Sequence, residues 1–188
     1  MDAKAILVPT LKLTVIGVII TALLFMTNSR TQAKIEQNEA QAAVEARKQV
    51  LPEADDFEEK KVTVDGTEYT YYEATNKAGY VFSGSNKGYG GQVVTMTGID
   101  ADGKIVGVLV TDASNETPGL GAKWLATDQA NQDRLAQFYR DVPDSDYAVT
   151  KDGGKIQAVS GATLTSRAVT ADVNSAIAQY KAATGGAN

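Results

Sequence analysis

The sequence predicts an α+β protein: a single N-terminal transmembrane helix, then one compact domain in which helices pack on an antiparallel sheet. Three observations predict this organisation. The segment Ile6–Met26 carries one charge, Lys12, and matches the roughly 20 apolar residues that span a bilayer. Two strand–turn–strand patterns follow it, and the last segment of the chain repeats apolar residues at a helical spacing. Strands combined with separate helices in one domain are typical of the α+β class.

Composition excludes several kinds of chemistry. The 188 residues include no His and no Cys, and 23 Asp and Glu outweigh 18 Lys and Arg, which gives a net charge of -5. The lack of Cys excludes disulfides, thiolate zinc sites, iron–sulfur clusters and c-type haem attachment. The lack of His excludes Ser-His and Cys-His nucleophile pairs. Any redox or ligand chemistry must therefore use an organic cofactor, carboxylates, hydroxyls or backbone amides. Separately, the acidic balance argues against binding of duplex nucleic acid.

Residues 1–33 are predicted to be a retained, single-pass membrane anchor. The alternative is a cleavable signal peptide with its apolar stretch at Leu13–Met26 and a small-residue cleavage site at Thr31–Ala33. A signal peptide normally has a positively charged flank before its apolar stretch. Here Asp2 offsets Lys4 and leaves that flank only weakly positive, so the anchor is favoured. Positive charges stand on both sides of the apolar stretch, so the charge pattern does not set the orientation.

Residues 34–60 are predicted to form a helical stalk and linker. Within them, Lys34–Gln49 is rich in Ala, Glu and Gln and contains no Gly or Pro, which favours a helix that ends near Pro52. The remaining segment, residues 61–188, is long enough for one domain with its own hydrophobic core.

This domain is predicted to contain two β-hairpins. The first pairs Lys61–Val64 with Thr67–Ala74 through an Asp-Gly turn. The second pairs Gly91–Ile99 with Lys104–Thr111 through an Asp-Ala-Asp-Gly turn. β-Branched residues of the second hairpin are the predicted core: Val93, Ile99, Ile105, Val108 and Val110.

Two helices are predicted to complete the domain, Asp128–Tyr139 and Ser166–Ala182. In the second, apolar residues recur at i, i+4 and i+8 and indicate its buried face: Val169, Val173 and Ile177. Helices with one apolar face need a sheet or another helix to cover it, which favours their packing on the hairpins.

A glycine-rich segment, Asn86–Gly91, differs from the phosphate-binding P-loop, which requires Gly-Lys followed by Ser or Thr. The segment is therefore interpreted as a flexible entry to the strand that begins near Gln92. Its aromatic residue, Tyr89, is expected to pack against the domain.

The most specific chemical pattern is the hydroxyl-rich segment Ser160–Ser166, directly before the last predicted helix. One interpretation is structural, because Ser and Thr are preferred helix N-caps. The other is a phosphate site, because unpaired amides and the positive end of the helix dipole attract anions. In that case Gly161 permits close backbone approach, and a hydroxyl could bind the phosphate or be esterified by it.

A second segment, Asn115–Gly121, gathers an acidic residue, a hydroxyl and two glycines around a Pro-Gly turn. Such a turn is typical of an ordinary surface loop. It could also lie over a planar ligand, with Glu116 and the glycine amides as hydrogen-bonding groups.

Together these motifs resemble the FMN-binding domain of bacterial respiratory complexes. The motifs Gly88–Gly91, Asp102–Ile105, Glu116–Gly121 and Ser160–Thr163 have the order and approximate spacing of that family, over roughly residues 80–180. Within the family, the chain is similar to the G subunit of the Rnf ion-translocating electron transport complex, with one anchor and one flavin domain. The C subunit of the sodium-pumping NADH:quinone reductase shares the motifs, is usually longer, and is the alternative.

The resemblance implies FMN attached through its phosphate to a threonine hydroxyl by a separate flavin transferase. The family's acceptor threonine falls on Thr163, and Thr165 is the second candidate. The other implied cofactor-binding residues lie in the same two segments: Ser160, Gly161, Ala162 and Leu164 near the acceptor, and Glu116, Thr117, Gly119, Leu120 and Gly121 near the flavin ring. No catalytic residue and no metal ligand is implied.

The resemblance further implies a function: this protein relays electrons inside an ion-translocating ferredoxin:NAD oxidoreductase and is not catalytic alone. Its implied partners are the other Rnf subunits, the flavin transferase and the lipid bilayer. Its implied location is the inner membrane, with the soluble domain on the extracytoplasmic side. Two alternatives from other classes remain: a stand-alone tethered flavoprotein reductase, and a non-redox surface domain whose hydroxyl cluster caps a helix.

Overall fold

The structure, a computed structural model, describes residues 3–185 of the chain. Within its first helix, the side chains at positions 3–6, 29, 30, 33, 36, 37 and 39 are left undescribed. Asp2 and the side chain of Lys4, which bear on the anchor prediction, therefore lie outside the described residues. Packing divides the chain into two units, Met1–Val44 and Glu45–Asn188.

The first unit is helical throughout its described part and belongs to helix α1, Ala3–Val50. The stretch Leu7–Asn28 is long and apolar enough to cross a membrane, and its side chains are exposed. The hydroxyls of Thr14 and Thr21 donate to carbonyls one turn earlier, at 2.9 and 2.8 Å. Each hydroxyl proton therefore has a hydrogen-bond partner inside the helix and does not need water. The predicted N-terminal helix is therefore confirmed, with the length and composition that a bilayer requires.

The second unit contains a five-stranded antiparallel sheet in the order β1-β2-β3-β4-β5. The strands are β1 Phe57–Val64, β2 Thr67–Ala74, β3 Gly79–Lys87, β4 Gln92–Asp100 and β5 Ile105–Asp112. Both predicted hairpins are present, as β1–β2 and β4–β5. The first turns at Asp65 and Gly66, whose φ angles of 49° and 80° are those that a tight two-residue hairpin requires. The sheet is a simple meander, because every strand pairs with its neighbour in sequence.

Strand β3 is the element that the sequence pattern does not predict. Its centre carries Gly84 between two serines, a composition that is unfavourable in an isolated strand. The glycine is needed for packing, because a Cβ at Gly84 would lie 2.5 Å from the Cα of Asp172 in the last helix. The residue that weakens the strand signal is thus the one that lets the helix approach the sheet.

The helices of this unit differ from their predicted bounds. Helix α2 is Gln129–Leu135, capped by the Asp128 side chain, and it continues only as a short 3-10 turn. Helix α3 is Thr163–Ala183, so it begins ahead of the predicted start at Ser166. It packs against β3 and β4, as an antiparallel α+β domain requires.

The core lies on both faces of the sheet. All of the predicted core residues are buried between the sheet and the helices: Val93, Ile99, Ile105, Val108 and Val110. Side chains alternate across the pleat, so Phe82 joins this core while its neighbour Val81 packs with Val50 and Leu51 on the opposite face. Within this unit, the end of α1 therefore covers the face that α3 does not.

A buried carboxylate joins α3 to the sheet. Asp172 is fully buried, and its two oxygens accept hydrogen bonds from Asn86 Nδ2 and Thr95 Oγ1, both at 2.8 Å. Burial disfavours the charged form and raises the pKa of Asp172 to about 6, although both hydrogen bonds favour the charge. The cost of charging this group makes the stability of the domain depend on pH.

Asp172→Asn should remove part of that pH dependence. Since the folded pKa lies above the ordinary value of 3.8, the stabilisation is complete below about pH 4 and is lost as pH rises through about 6. Asn can keep both contacts without a charge, because its oxygen accepts from Asn86 and its NH2 group can donate to the Thr95 hydroxyl, which then acts as the acceptor. The wild type should therefore lose stability relative to the variant between about pH 4 and pH 8, by up to roughly 3 kcal/mol.

The measurement is urea unfolding of the full chain in detergent across this pH range, followed by the fluorescence of Trp124. The exposed Asp144→Asn variant is the control, because it removes a carboxylate that is not buried. Parallel pH profiles for the wild type and Asp172→Asn would contradict the assignment.

Candidate cofactor site at the start of helix α3

A cavity of about 400 Å³ lies at the start of α3. It is lined by residues from three separate segments: Tyr89, Glu116, Thr117, Leu120, Gly121, Gly161, Ala162 and Thr165. These segments are the glycine-rich loop before β4, the loop after β5 and the turn that leads into α3. The fold therefore brings together the three motifs that the sequence singles out.

Glu116 connects the three segments. Its side chain is buried, and Oε2 accepts a hydrogen bond of 2.6 Å from Thr165 Oγ1. Oε1 accepts a hydrogen bond of 2.9 Å from the amide of Gly90. Burial alone raises the pKa of Glu116, but the Thr165 hydroxyl and the glycine-loop amides outweigh it and hold the pKa below its ordinary value. The carboxylate is therefore charged and fully engaged with groups of its own chain.

The two candidate acceptor hydroxyls differ in environment. Thr165 is completely buried, and its hydroxyl is used in the bond to Glu116. Thr163 is the first residue of α3, is half-buried, and accepts a hydrogen bond of 3.1 Å from Lys151 Nζ. An incoming ligand can reach the Thr163 hydroxyl without breaking a buried contact.

The helix-cap interpretation of the hydroxyl cluster is wrong. The N-cap residue is Ala162, and its side chain makes no cap hydrogen bond. The buried Ser166 hydroxyl donates to the carbonyl of Ala162 at 2.9 Å and accepts from the amide of Val159 at 3.1 Å. Trp124 Nε1 also donates to it, at 3.2 Å. Ser166 thus holds the turn together from within, and the amides at the start of α3 have no side-chain cap.

Gly161 shapes the turn in front of the helix. Its φ of 77° lies in the left-handed region, which favours glycine. A Cβ at this position would also approach Leu120 Cδ2 to 3.1 Å. Glycine therefore lets the loop after β5 close over the turn, with Leu120 against it.

Two residues of the site are not predicted to belong to it. Tyr89 is expected from the sequence to pack, but it is 71% exposed and lines the cavity, so that expectation is wrong. The feature of the sequence that could have indicated an exposed ring is the position of this large aromatic residue between two glycines. Lys151 has no local signal, because its contact with Thr163 forms only in the folded chain.

The remaining predicted residues lie beside the cavity. Gly119 forms the loop turn with a φ of 75°, and Ser160 is exposed ahead of α3. Leu164 is also exposed and, like Thr163, does not line the cavity. In the described part of the chain, no cluster of carboxylates could hold a metal ion.

The cavity fits a flat organic ligand that carries a phosphate. Its volume lies within the range of roughly 300–1,000 Å³ that is usual for small-molecule sites. Tyr89, Leu120 and Ala162 offer apolar contact, while the loops offer backbone amides. The uncapped start of α3 supplies unpaired amides and a positive dipole end for the phosphate.

Comparison with known proteins agrees with this geometry. A family model described as "FMN-binding domain" matches residues 88–178, from the glycine-rich loop into α3. The chain is 35% identical to the G subunit of the ion-translocating oxidoreductase complex of Methanosarcina acetivorans, over 94% of this chain and 95% of the relative. It is 37% identical to the G subunit of the Na⁺-translocating ferredoxin:NAD⁺ oxidoreductase complex of Acetobacterium woodii, over 96% and 94%. The proton-translocating counterpart of Clostridium ljungdahlii is 31% identical, over 90% and 86%.

Thr165→Val should destabilise the domain more than Thr163→Val. The first change removes a hydrogen-bond donor from a buried carboxylate, which costs about 1–3 kcal/mol of the free energy of unfolding. The second removes a half-buried hydroxyl and should change the free energy of unfolding by about 0.5 kcal/mol or less. The measurement for both variants is urea unfolding of the full chain in detergent, with Trp124 as the probe. Equal losses in the two variants would refute the role given to Thr165.

Proposed function

The chain belongs to the G-subunit family of Rnf-type ion-translocating oxidoreductase complexes, and on that premise we propose that it relays electrons through FMN held at the start of α3. The observation that carries the proposal is one cavity lined by all three motif segments, inside the matched FMN-binding region. FMN supplies the electron chemistry, because it accepts and releases electrons one or two at a time. The residues of this chain bind, orient and shield it.

The proposed complex oxidises ferredoxin and reduces NAD⁺, in keeping with the names of the Acetobacterium and Clostridium relatives as ferredoxin:NAD⁺ oxidoreductases. Within it, this chain is an internal carrier and is not catalytic alone. These relatives are named as G subunits and match this chain along nearly its full length, which favours this assignment over the C subunit of the sodium-pumping reductase. The match to an FMN-binding domain disfavours a non-redox surface domain.

Thr163 is the proposed attachment point. Its hydroxyl is accessible and stands at the positive end of a 21-residue helix, whereas the Thr165 hydroxyl is buried against Glu116. In the attachment step, Thr163 Oγ forms a bond to phosphorus and loses its proton. The donor is a phosphoanhydride of FMN bound by a separate flavin transferase: the bond between the FMN phosphorus and the anhydride oxygen breaks, and the second phosphate leaves with the proton from the hydroxyl. The chain gains the mass of FMN less one water.

The loops of the cavity have a positioning role in this proposal. Glu116 holds the glycine-rich loop and α3 together, so it orients the walls of the cavity. Direct contact between Glu116 and the flavin stays a prediction. The other proposed contacts to FMN are Thr117, Gly119, Leu120 and Gly121 near the ring, and Ser160, Gly161, Ala162 and Leu164 near the phosphate.

The anchor explains how such a carrier stays near its partners. The exposed apolar stretch Leu7–Asn28 fits a membrane-anchored protein, and tethering raises the effective concentration of a flavin beside neighbouring subunits. The proposed location is the inner membrane, with the flavin domain on the extracytoplasmic side. Covalent attachment is useful there, because it prevents loss of the cofactor by dissociation.

Thr163→Val should abolish covalent flavin, whereas Thr165→Val should retain it if the domain folds. The full chain is produced with a flavin transferase, denatured and analysed by intact mass, peptide mass and in-gel flavin fluorescence. The wild type should carry FMN on the peptide that contains Thr163. Covalent FMN in Thr163→Val would overturn the assignment of the acceptor. An unmodified wild-type chain would overturn covalent attachment itself.

Tyr89 is the aromatic side chain best placed to lie against the flavin ring, because it is exposed and lines the cavity. A tyrosine stacked on a flavin quenches its fluorescence by electron transfer. Tyr89→Leu should therefore raise the fluorescence yield of the folded, loaded chain. The control is Tyr139→Leu, because Tyr139 is 41% exposed and lies outside the cavity lining. The same yield in Tyr89→Leu and the wild type would rule out stacking.

A further inference from the structure

We propose that Lys151 is a phosphate-positioning residue: its ammonium group neutralises and orients the phosphodiester formed on Thr163. This inference rests on the proposed attachment at Thr163 and adds the cation that the site uses. It begins from one contact, the hydrogen bond of 3.1 Å that Lys151 Nζ donates to Thr163 Oγ1. That oxygen becomes the bridging oxygen of the ester, so the free phosphate oxygens lie two bonds further away, within reach of an ammonium group on a flexible stem.

The backbone around Lys151 holds it at this position. Lys151 lies in the 3-10 turn Thr150–Asp152, which ends at Gly153 with a φ of 85°. A parallel bridge between Val149 and Ile156 joins the two ends of this loop. The chain then runs from Ile156 directly into the turn before α3. The loop and the acceptor turn are therefore neighbours in the folded chain.

A second contact fixes the loop to the acceptor helix. Arg167 lies one turn after Thr163 on α3 and binds Asp152 through two hydrogen bonds, Nε to Oδ2 at 2.7 Å and a terminal nitrogen to Oδ1 at 2.6 Å. Such a paired geometry is more specific than a single contact. It holds the residue next to Lys151 against the same helix that carries the acceptor.

The distribution of charge selects Lys151 over Arg167 as the partner of the phosphate. The Arg167 charge is balanced by Asp152, whose pKa is lowered by that pairing. Among the ion pairs of the described residues, none involves Lys151. The dipole of α3 supplies only about half an elementary charge at its start. A phosphodiester carries one full negative charge, so Lys151 supplies the missing balance.

The ammonium group suits this task. Lysine is a point charge with three donors on a flexible stem, so it can follow the oxygen from hydroxyl to ester without a change in backbone. In the unloaded chain the contact is exposed and stabilises the fold little. The ammonium group contributes mainly when the phosphate is present, because it then pairs with a full negative charge.

The test uses the full chain, produced with a flavin transferase and purified in detergent. Lys151→Gln removes the charge, Lys151→Arg keeps it, and the control Lys155→Gln removes an equal charge from an exposed position of the same loop. The main readout is the phosphorus-31 NMR resonance of the ester in the folded, loaded protein. The second is the initial rate of flavin loading, measured by intact mass.

Lys151→Gln should displace the phosphorus resonance and slow loading by roughly tenfold or more, the scale of one hydrogen bond to a charged group. Lys151→Arg should load close to the wild-type rate, and Lys155→Gln should match the wild type in both readouts. The urea midpoint of the unloaded chain should not change in Lys151→Gln, because no phosphate is there to lose its partner.

Three results would overturn the proposal. The first is a phosphorus resonance of Lys151→Gln that coincides with that of the wild type, and the second is an equal displacement in Lys155→Gln. The third is failure of both Lys151→Gln and Lys151→Arg to load with their fold intact, which would show that the charge is not what matters. If Lys151→Gln alone fails to load, the requirement for the charge is supported. A wild-type chain without covalent FMN overturns the proposed attachment at Thr163, on which this inference rests, and is a distinct result.

Discussion

The hydrogen bonds to the buried Glu116 carboxylate are the interaction on which the site depends. A charged carboxylate inside a protein is stable only when donors satisfy it, and here they come from Thr165 and from the amide of Gly90. The bond to Thr165 joins residues 49 positions apart in the chain. Loss of either donor would leave one oxygen of the buried charge unsatisfied in the low dielectric of the interior. The arrangement of the cavity walls thus follows from the need to satisfy one side chain.

Helix α3 connects this site to the core of the domain. Its first turn carries Thr163 and Thr165, while its middle packs on the sheet through Asp172 and the space left by Gly84. A long helix seated on a buried sheet is a rigid support, so an ester at its start would be held in a fixed position. For an electron carrier, fixed distances to neighbouring redox centres matter more than an open pocket for substrate.

Much of the fold is predictable because its signals are local. The apolar run, the Asp-Gly turn at Asp65-Gly66 and the alternating residues of β4 and β5 depend on neighbours in sequence. Strand β3 shows the limit of such signals. Gly84 lowers the strand propensity of its own segment, yet a side chain at this position would collide with the helix that packs on the strand. Likewise, Tyr89 resembles a core aromatic in the sequence, and only the folded loop shows that it is exposed beside a cavity.

The sequence by itself determined the class of the protein: an apolar N-terminal helix, an antiparallel domain without His or Cys, and two motifs suited to a phosphate-bearing cofactor. Only the tertiary structure decided how the two threonines differ, because burial and the bond to Glu116 are properties of the packed chain. It also placed Lys151 against Thr163. The physical reason is the same in each case: periodicity and hydropathy are encoded by adjacent residues, whereas contacts across the site exist only after distant segments have packed.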